Sequence, residues 1–245
     1  VYVMIIAKDL HIGYDKNTVQ EDLNFRLEAG KSYALIGPNG VGKSTLIRTI
    51  ASIQPALKGQ VLIDDKDVSE VDIRTLAHTI SIVLTNRPKV GAFSVRDIVE
   101  MGRTPYIMWN SKLSEIDIEK VKKAIDTVGI TQLQDKNVNE LSDGQFQKVM
   151  IAKALAQDTP ILILDEPSSF LDLNAKINLY ELIETLCKEH RKLVLLSSHE
   201  IQLAQKHVDE FLLMHENGLE LITSNDLYTN PTFKSSFEKF QSYLS

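Results

Sequence analysis

Nine consecutive residues constrain this chain more than any others: Gly37-Pro38-Asn39-Gly40-Val41-Gly42-Lys43-Ser44-Thr45 matches the phosphate-loop pattern G-x-x-x-x-G-K-S/T in full. The pattern carries meaning only between a strand and a helix, and the flanks supply both. Tyr33 to Ile36 is a short apolar run suited to a buried parallel strand, and Ser44 to Ile53 spaces its apolar residues along one helical face. Gly37, Gly40 and Gly42 are expected to turn backbone N–H groups inward where a Cβ would block a phosphate, with the positive end of the following helix adding attraction. Lys43 is then the point charge for β- and γ-phosphates, and the Ser44 hydroxyl is a ligand for Mg²⁺.

A second acidic signal follows far down the chain. Ile161-Leu-Ile-Leu-Asp-Glu-Pro167 is a strand-sized apolar run ending in two carboxylates and a proline that stops it. Acidic residues at the carboxyl end of a buried parallel strand lie where open α/β sheets place their ligand chemistry. Asp165 is therefore expected to hold Mg²⁺ through water, and Glu166 to face the γ-phosphate and polarise the attacking water.

Before the phosphate loop, Val3–Leu10 and Glu21–Glu28 read as an antiparallel pair joined by the polar turn Asp15-Lys-Asn17. Tyr14 sits in that connection, either stacking on a base or packing as an ordinary loop tyrosine. A strand over Gly59–Asp64, a helix over Val71–His78 and a strand over Ile80–Leu84 come next. From 86 to 157 the pattern turns helical, with helices expected over Ser94–Gly102, Ser114–Val128 and Gly144–Gln157. Ser142 and Gln145 in Leu141-Ser-Asp-Gly-Gln145 fit a capping box, which caps the last helix and leaves its N-terminus friendly to an anion. A helix over Leu173–His190, a strand over Lys192–Ser197 ending at Ser198-His199, short strands at Phe211–Met214 and Leu219–Thr223, and an amphipathic stretch Thr232–Tyr243 complete the chain.

Composition narrows the classes. A chain of 245 residues with no repeat or linker reads as one unit with a sizeable core. Its 27 basic and 33 acidic residues give a net charge of −6, so no nucleic-acid partner is expected. Cys187, the single cysteine, reads as a buried free thiol, and the six histidines lack ligand spacing, so no zinc is expected. No stretch approaches the ~20 apolar residues of a membrane helix, so a soluble protein is expected. Val1–Ile6 reads as a first strand rather than a signal peptide. Whether Val1-Tyr-Val3 is native the residues leave open.

The phosphate loop, Leu141–Gln145, Ile161–Glu166, Ser169-Phe-Leu-Asp172 and His199 occur in the order and spacing of the ATP-binding subunits of ABC transporters, and the chain resembles that family over essentially its whole length. The resemblance implies an α/β P-loop NTPase core with an antiparallel β subdomain and an inserted α-helical subdomain. Residues 1–85 and 158–245 would form the core with the β subdomain, and 86–157 the helical subdomain carrying the signature. It further implies ATP and Mg²⁺ as cofactors. Tyr14 would stack on adenine, Asp172 would lie in the loop crossing a dimer interface, and His199 would contact the γ-phosphate and hold Glu166 in register. Ser142, Gly144 and Gln145 would close over the nucleotide of a second copy, giving an ATP-bound homodimer. More narrowly, Ser94–Tyr106 with Trp109, and Leu155–Pro160, look like importer subunits for iron–siderophore, haem and cobalamin uptake. Such a subunit is cytoplasmic, peripheral on the inner face of the membrane through integral permease subunits, and makes no contact with cargo.

Two positions depart from the family. Thr85, followed by Asn86, stands where a glutamine usually meets Mg²⁺ and the water; the shorter hydroxyl reaching through water, or Asn86, would replace it. Asp143 replaces the first glycine of the signature and is expected to point away from a bound phosphate. A competing reading is a soluble ABC ATPase acting on nucleic acid or ribosomes, but residues 46–141 carry neither heptads nor a CxxC module. A regulatory subunit without turnover is the third reading, against which Lys43, Asp165, Glu166 and His199 stand intact.

Overall fold

Strands buried on both faces are near-continuous apolar runs, and such runs build the centre of this molecule. The computed structural model describes residues 3–15, 17–85, 87, 91–107 and 112–237. In chain order the strands are β1 (Met4–Tyr14), β2 (Asn17–Glu28), β3 (Ser32–Ile36), β4 (Lys58–Ile63), β5 (Lys66–Asp67), β6 (Ile80–Val83), β7 (Ile161–Leu164), β8 (Leu193–Ser197), β9 (Glu210–His215) and β10 (Gly218–Thr223). The helices are α1 (Lys43–Ile50), α2 (Ile73–Thr79), α3 (Val95–Glu100), α4 (Glu115–Val128), α5 (Asp143–Gln157), α6 (Leu173–Lys188), α7 (Ile201–His207) and α8 (Pro231–Ser236). Among these residues two sheets form: an antiparallel one ordered β2-β1-β4-β5, and one ordered β10-β9-β3-β8-β7-β6 in which only the β10–β9 pairing is antiparallel.

Alternation along the parallel strands divides the interior. Tyr33 and Leu35, Ile161 and Ile163, and Leu193 and Leu195 join a core shared with the antiparallel sheet and α1. Their neighbours Ala34 and Ile36, Leu162 and Leu164, and Val194 and Leu196 face the opposite core with α6 and α7. A third apolar cluster belongs to α3, α4 and α5, where Val95, Val99, Val121, Ile125, Phe146 and Val149 are buried together. Each of these three helices opens with a capping box: Ser94 with Asp97, Ser114 with Asp117, and Ser142 with Gln145. A single N-cap of this kind stabilises by roughly 0.5–2 kcal/mol.

The structure extends and trims the expected elements. The β1–β2 hairpin runs on to Tyr14 and Asn17 because Asp9 and Asp22, at φ 44° and 51°, carry the ladder through register shifts after Ala7. β5 is an element the residue pattern did not suggest, paired to β4 across Asp64-Asp65, both left-handed as a two-residue hairpin turn requires. The helix expected to reach Gly102 stops at Glu100 and tightens into a 3₁₀ turn over Met101–Tyr106, because Pro105 lacks an N–H and disfavours helix before it. A Cβ on Gly102 would lie 2.3 Å from the Lys153 carbonyl, so this turn lies directly on α5. Buried Arg103 anchors it, donating to Asp117 at 2.8 Å and to the Ala156 carbonyl at 2.7 Å. The Ser114 hydroxyl and then Arg103 hold the Asp117 carboxyl below its usual range. Cys187 is buried, and burial pushes its thiol up to about 12. The terminal stretch begins with α8; its remainder from 238, together with Trp109 and Asn86, lies outside the described residues.

Candidate nucleotide site

The carboxyl ends of three neighbouring parallel strands, β3, β8 and β7, gather the polar residues. Register places Leu35 beside Ser197 and Leu164 beside Leu196, so the loops after Ile36, Leu164 and Ser197 leave the sheet side by side. Open α/β sheets bind ligands at such strand ends.

The phosphate loop leaves β3 at Gly37 and enters α1 through Gly42, which is left-handed at φ 113°. The glycines divide their duties in a way the motif did not suggest. A Cβ on Gly37 would fall 2.3 Å from the Met214 carbonyl of β9, and one on Gly42 would fall 2.8 Å from Val19. Both are therefore demanded by packing behind the loop. Gly40, at φ +80°, faces open space. Lys43 is 7% exposed, and its Nζ donates to the carbonyls of Gly37 at 2.7 Å and Pro38 at 3.1 Å. Burial pushes the Lys43 ammonium pKa down, against the pull of Glu166 and Asp165.

Asp165, 2% exposed, accepts from the Ser44 hydroxyl at 3.3 Å and from the Ser197 hydroxyl at 2.7 Å, both on Oδ1. Ser197 in turn accepts the Glu166 N–H at 2.8 Å. Glu166 is left-handed at φ 50°, a conformation that costs a non-glycine residue about 1–3 kcal/mol and persists where its surroundings over-determine it. Those surroundings are Ser197 on its backbone, Ser169 donating to Oε2 at 3.2 Å, and His199 Nε2 at 3.1 Å from Oε1. Ser198, next in the chain, pairs with the buried Tyr180 hydroxyl at 2.7 Å and accepts the Glu200 N–H, which fixes the turn that presents His199. Ser197 and Tyr180 were not among the expected site residues. A serine ending an apolar strand was their only signal.

The Thr85 hydroxyl donates to the Asp165 carbonyl at 3.1 Å, so the segment after β6 lies against the acidic strand end. Tyr14 is 47% exposed, with its hydroxyl accepting from Thr45 at 2.9 Å, which leaves a ring face open beside α1. The remaining expected residues stand apart. Among the described residues no hydrogen bond joins Ser142, Gly144, Gln145 or Asp172 to the phosphate loop. Ser142 and Gln145 bond each other, and Asp172 caps α6 by accepting from Ala175 at 2.8 Å. Gly144 sits so close to the Phe170 carbonyl that a Cβ would come within 2.6 Å. The Asp143 carboxylate is turned to Arg87, whose Nη1 lies 2.7 Å away.

Residues 20–169 match the ABC transporter family. The chain belongs to the ABC transporter family. Within it the chain is an ATP-binding, ATP-hydrolysing subunit with the α/β P-loop fold of these cassettes. It is 38% identical over 235 residues to an uncharacterised ABC transporter ATP-binding protein of Methanocaldococcus jannaschii, covering 92% of this chain and 81% of that protein. It is 34% identical over 213 residues to the ferric enterobactin transport ATP-binding protein of Escherichia coli, covering 87% and 79%. A solved metal-chelate type ABC transporter in an inward-facing conformation superposes with a TM-score of 0.82 at 26% identity, over 96% of this chain and 89% of that one. No helix among the described residues is long and apolar enough to cross a membrane.

The donor set suits Mg²⁺. One hydroxyl and one carboxylate meet at Ser44 and Asp165, and no cluster of three or more His, Cys, Asp or Glu residues is placed for a metal among the described residues. Mg²⁺ characteristically takes one or two protein oxygens and completes its shell with substrate phosphates and water.

Proposed function

We infer that this subunit powers a membrane importer whose cargo is an iron–siderophore complex or the related haem or cobalamin. One observation carries the catalytic part: Glu166, held by Ser197 and His199, stands at a strand end beside the loop that holds Lys43. The cargo class rests on likeness to the ferric enterobactin and metal-chelate proteins and on the segment Ser94–Tyr106.

The mechanism follows from what each side chain can do. Tyr14 offers its open ring to adenine, and the amides of Gly37 to Thr45 wrap the phosphates. Lys43 exchanges the Gly37 and Pro38 carbonyls for β- and γ-phosphate oxygens. Ser44 and Asp165 would hold Mg²⁺, which when bound neutralises phosphate charge, and Thr85 reaches the same place through Asp165. Glu166 accepts a hydrogen bond from the attacking water and polarises it. His199 fixes that carboxylate and meets the γ-phosphate. Among the described residues Ser142, Gly144 and Gln145 make no hydrogen bond to their own phosphate loop, which leaves them available to close over the nucleotide of a second copy, with Asp172 at the interface. Hydrolysis removes the bridge and the homodimer reopens.

Residues 86–157 act in this reading as the helical subdomain, and 1–85 with 158–245 as the core. Integral permease subunits dock on the cytoplasmic side of the membrane; a cleft of about 460 Å³ lined by Ile53, Ile73, Leu76 and Lys153 offers them an apolar floor. The test is purification from native membranes. The protein is expected to copurify with a polytopic membrane protein and to release phosphate from ATP. Recovery with ribosomes or nucleic acid instead would contradict the importer reading.

A further inference from the structure

Both family departures neighbour Arg87, Thr85 along the chain and Asp143 through a side-chain contact. Arg87 follows Thr85 by two residues, and its guanidinium crosses to the signature turn. Nη1 donates to Asp143 Oδ1 at 2.7 Å and to the Leu141 carbonyl at 3.5 Å, Nη2 donates to the Val138 carbonyl at 3.0 Å, and the group lies 4.4 Å from the Phe146 ring centroid. These contacts span the 3₁₀ turn Val138–Glu140 and the first two turns of α5. Asp143 is the first helical residue, between Ser142 and Gly144.

We propose that Arg87 is a positioning residue for the signature: it neutralises Asp143 and clamps the turn that presents Ser142 and Gly144 to phosphate. A carboxylate in the first turn suits the helix dipole but opposes an incoming polyanion. The ion pair alone does not explain the arrangement, because its side chains are 36% and 63% exposed and such pairs contribute little to stability. The planar fork does, since a guanidinium can serve a carboxylate and two carbonyls at once while lying on an aromatic face, and an ammonium cannot. Asp143 is thus tolerated in place of glycine only while Arg87 is present. Through Thr85 the same short segment also touches the Asp165 carbonyl, which links the acidic strand end to the signature.

The inference rests on the reading that the signature meets a second copy's ATP, and the test separates the two. Arg87→Ala, Arg87→Lys, Asp143→Gly and the double variant Arg87→Ala/Asp143→Gly are compared in a Glu166→Gln background. In nucleotide-free protein, Arg87→Ala is expected to speed hydrogen exchange at the amides of 141–146 about tenfold, with ATP affinity of the monomer unchanged. ATP-driven dimerisation is expected to weaken about tenfold in Arg87→Ala and less in Arg87→Lys. The double variant is expected to recover, and Asp143→Gly alone to match the parent. Unchanged exchange, undiminished dimerisation by Arg87→Ala, or a double variant as weak as Arg87→Ala would each overturn the proposal. A parent that stays monomeric with ATP contradicts the sandwich reading, and the exchange comparison then still decides the clamp.

Discussion

The strand ends that hold Lys43, Asp165 and Glu166 differ in kind from the junction where Arg87 meets the signature turn. At the strand ends every polar side chain named above has a partner in its own chain, and Ser197 ties the two acidic residues together from a fully buried position. At the junction, Asp143 pairs with Arg87, and Gln147 Nε2 is buried with no hydrogen-bond partner among the described residues. Beside it lies a cavity of about 170 Å³ lined by Thr85, Arg87, Phe146 and Phe170. An unpaired buried donor costs about 1–3 kcal/mol, comparable to the backbone strain that Ser197, Ser169 and His199 hold in place at Glu166. The side chains of the catalytic half are tied to one another within one chain, whereas in the proposed sandwich the signature half is completed by a second copy.

The comparison breaks first if Lys43 is dispensable. Lys43→Ala removes the charge on the β- and γ-phosphates; tight ATP binding should vanish and turnover fall at least about 10²-fold. Nucleotide titration and phosphate release read both, and near-wild-type values would displace the site from the strand ends. Ser197→Ala comes next. It strips one hydrogen bond from Asp165 and one from Glu166, a loss of about 1–3 kcal/mol, and turnover should drop roughly tenfold with the fold retained by circular dichroism. Unchanged turnover would show the strand ends to be as permissive as the junction. Thr85→Gln should have the smallest effect, leaving hydrolysis intact or modestly raised. A collapse of activity in folded protein would show the junction to be built around threonine.

The strands were legible because burial on both faces leaves no choice but an apolar run, as at Tyr33–Ile36 and Ile161–Leu164. The start of α5 was legible where Ser142 met a glutamine three residues on; the boxes at Ser94 and Ser114, with an acid at the same spacing, emerged with the structure. The β5 hairpin was not, since two adjacent aspartates announce a turn without saying that two residues will pair beyond it. Lys43, Ser44, Asp165 and Glu166 were readable because phosphate chemistry restricts those types at that spacing. A further reason for Gly37 was not legible: its missing Cβ makes room for the Met214 carbonyl, a contact between residues far apart in the chain. Ser197 and Arg87 escaped for the same cause, because a strand-end serine and a loop arginine acquire meaning only when folding brings them to Asp165 and Asp143.

The most direct test of the account is the state of Glu166→Gln in ATP and Mg²⁺, measured by phosphate release and size-exclusion chromatography on one preparation. Glutamine keeps the size of glutamate but loses the negative charge that polarises water, so hydrolysis should fall roughly 10²–10⁴-fold while ATP binding survives. Because ATP favours the closed state and hydrolysis dissolves it, the variant should accumulate as a homodimer. Turnover at the wild-type rate would contradict the placement of the base, and a slow variant that stays monomeric at saturating ATP would contradict closure of the signature turn over a second copy's nucleotide.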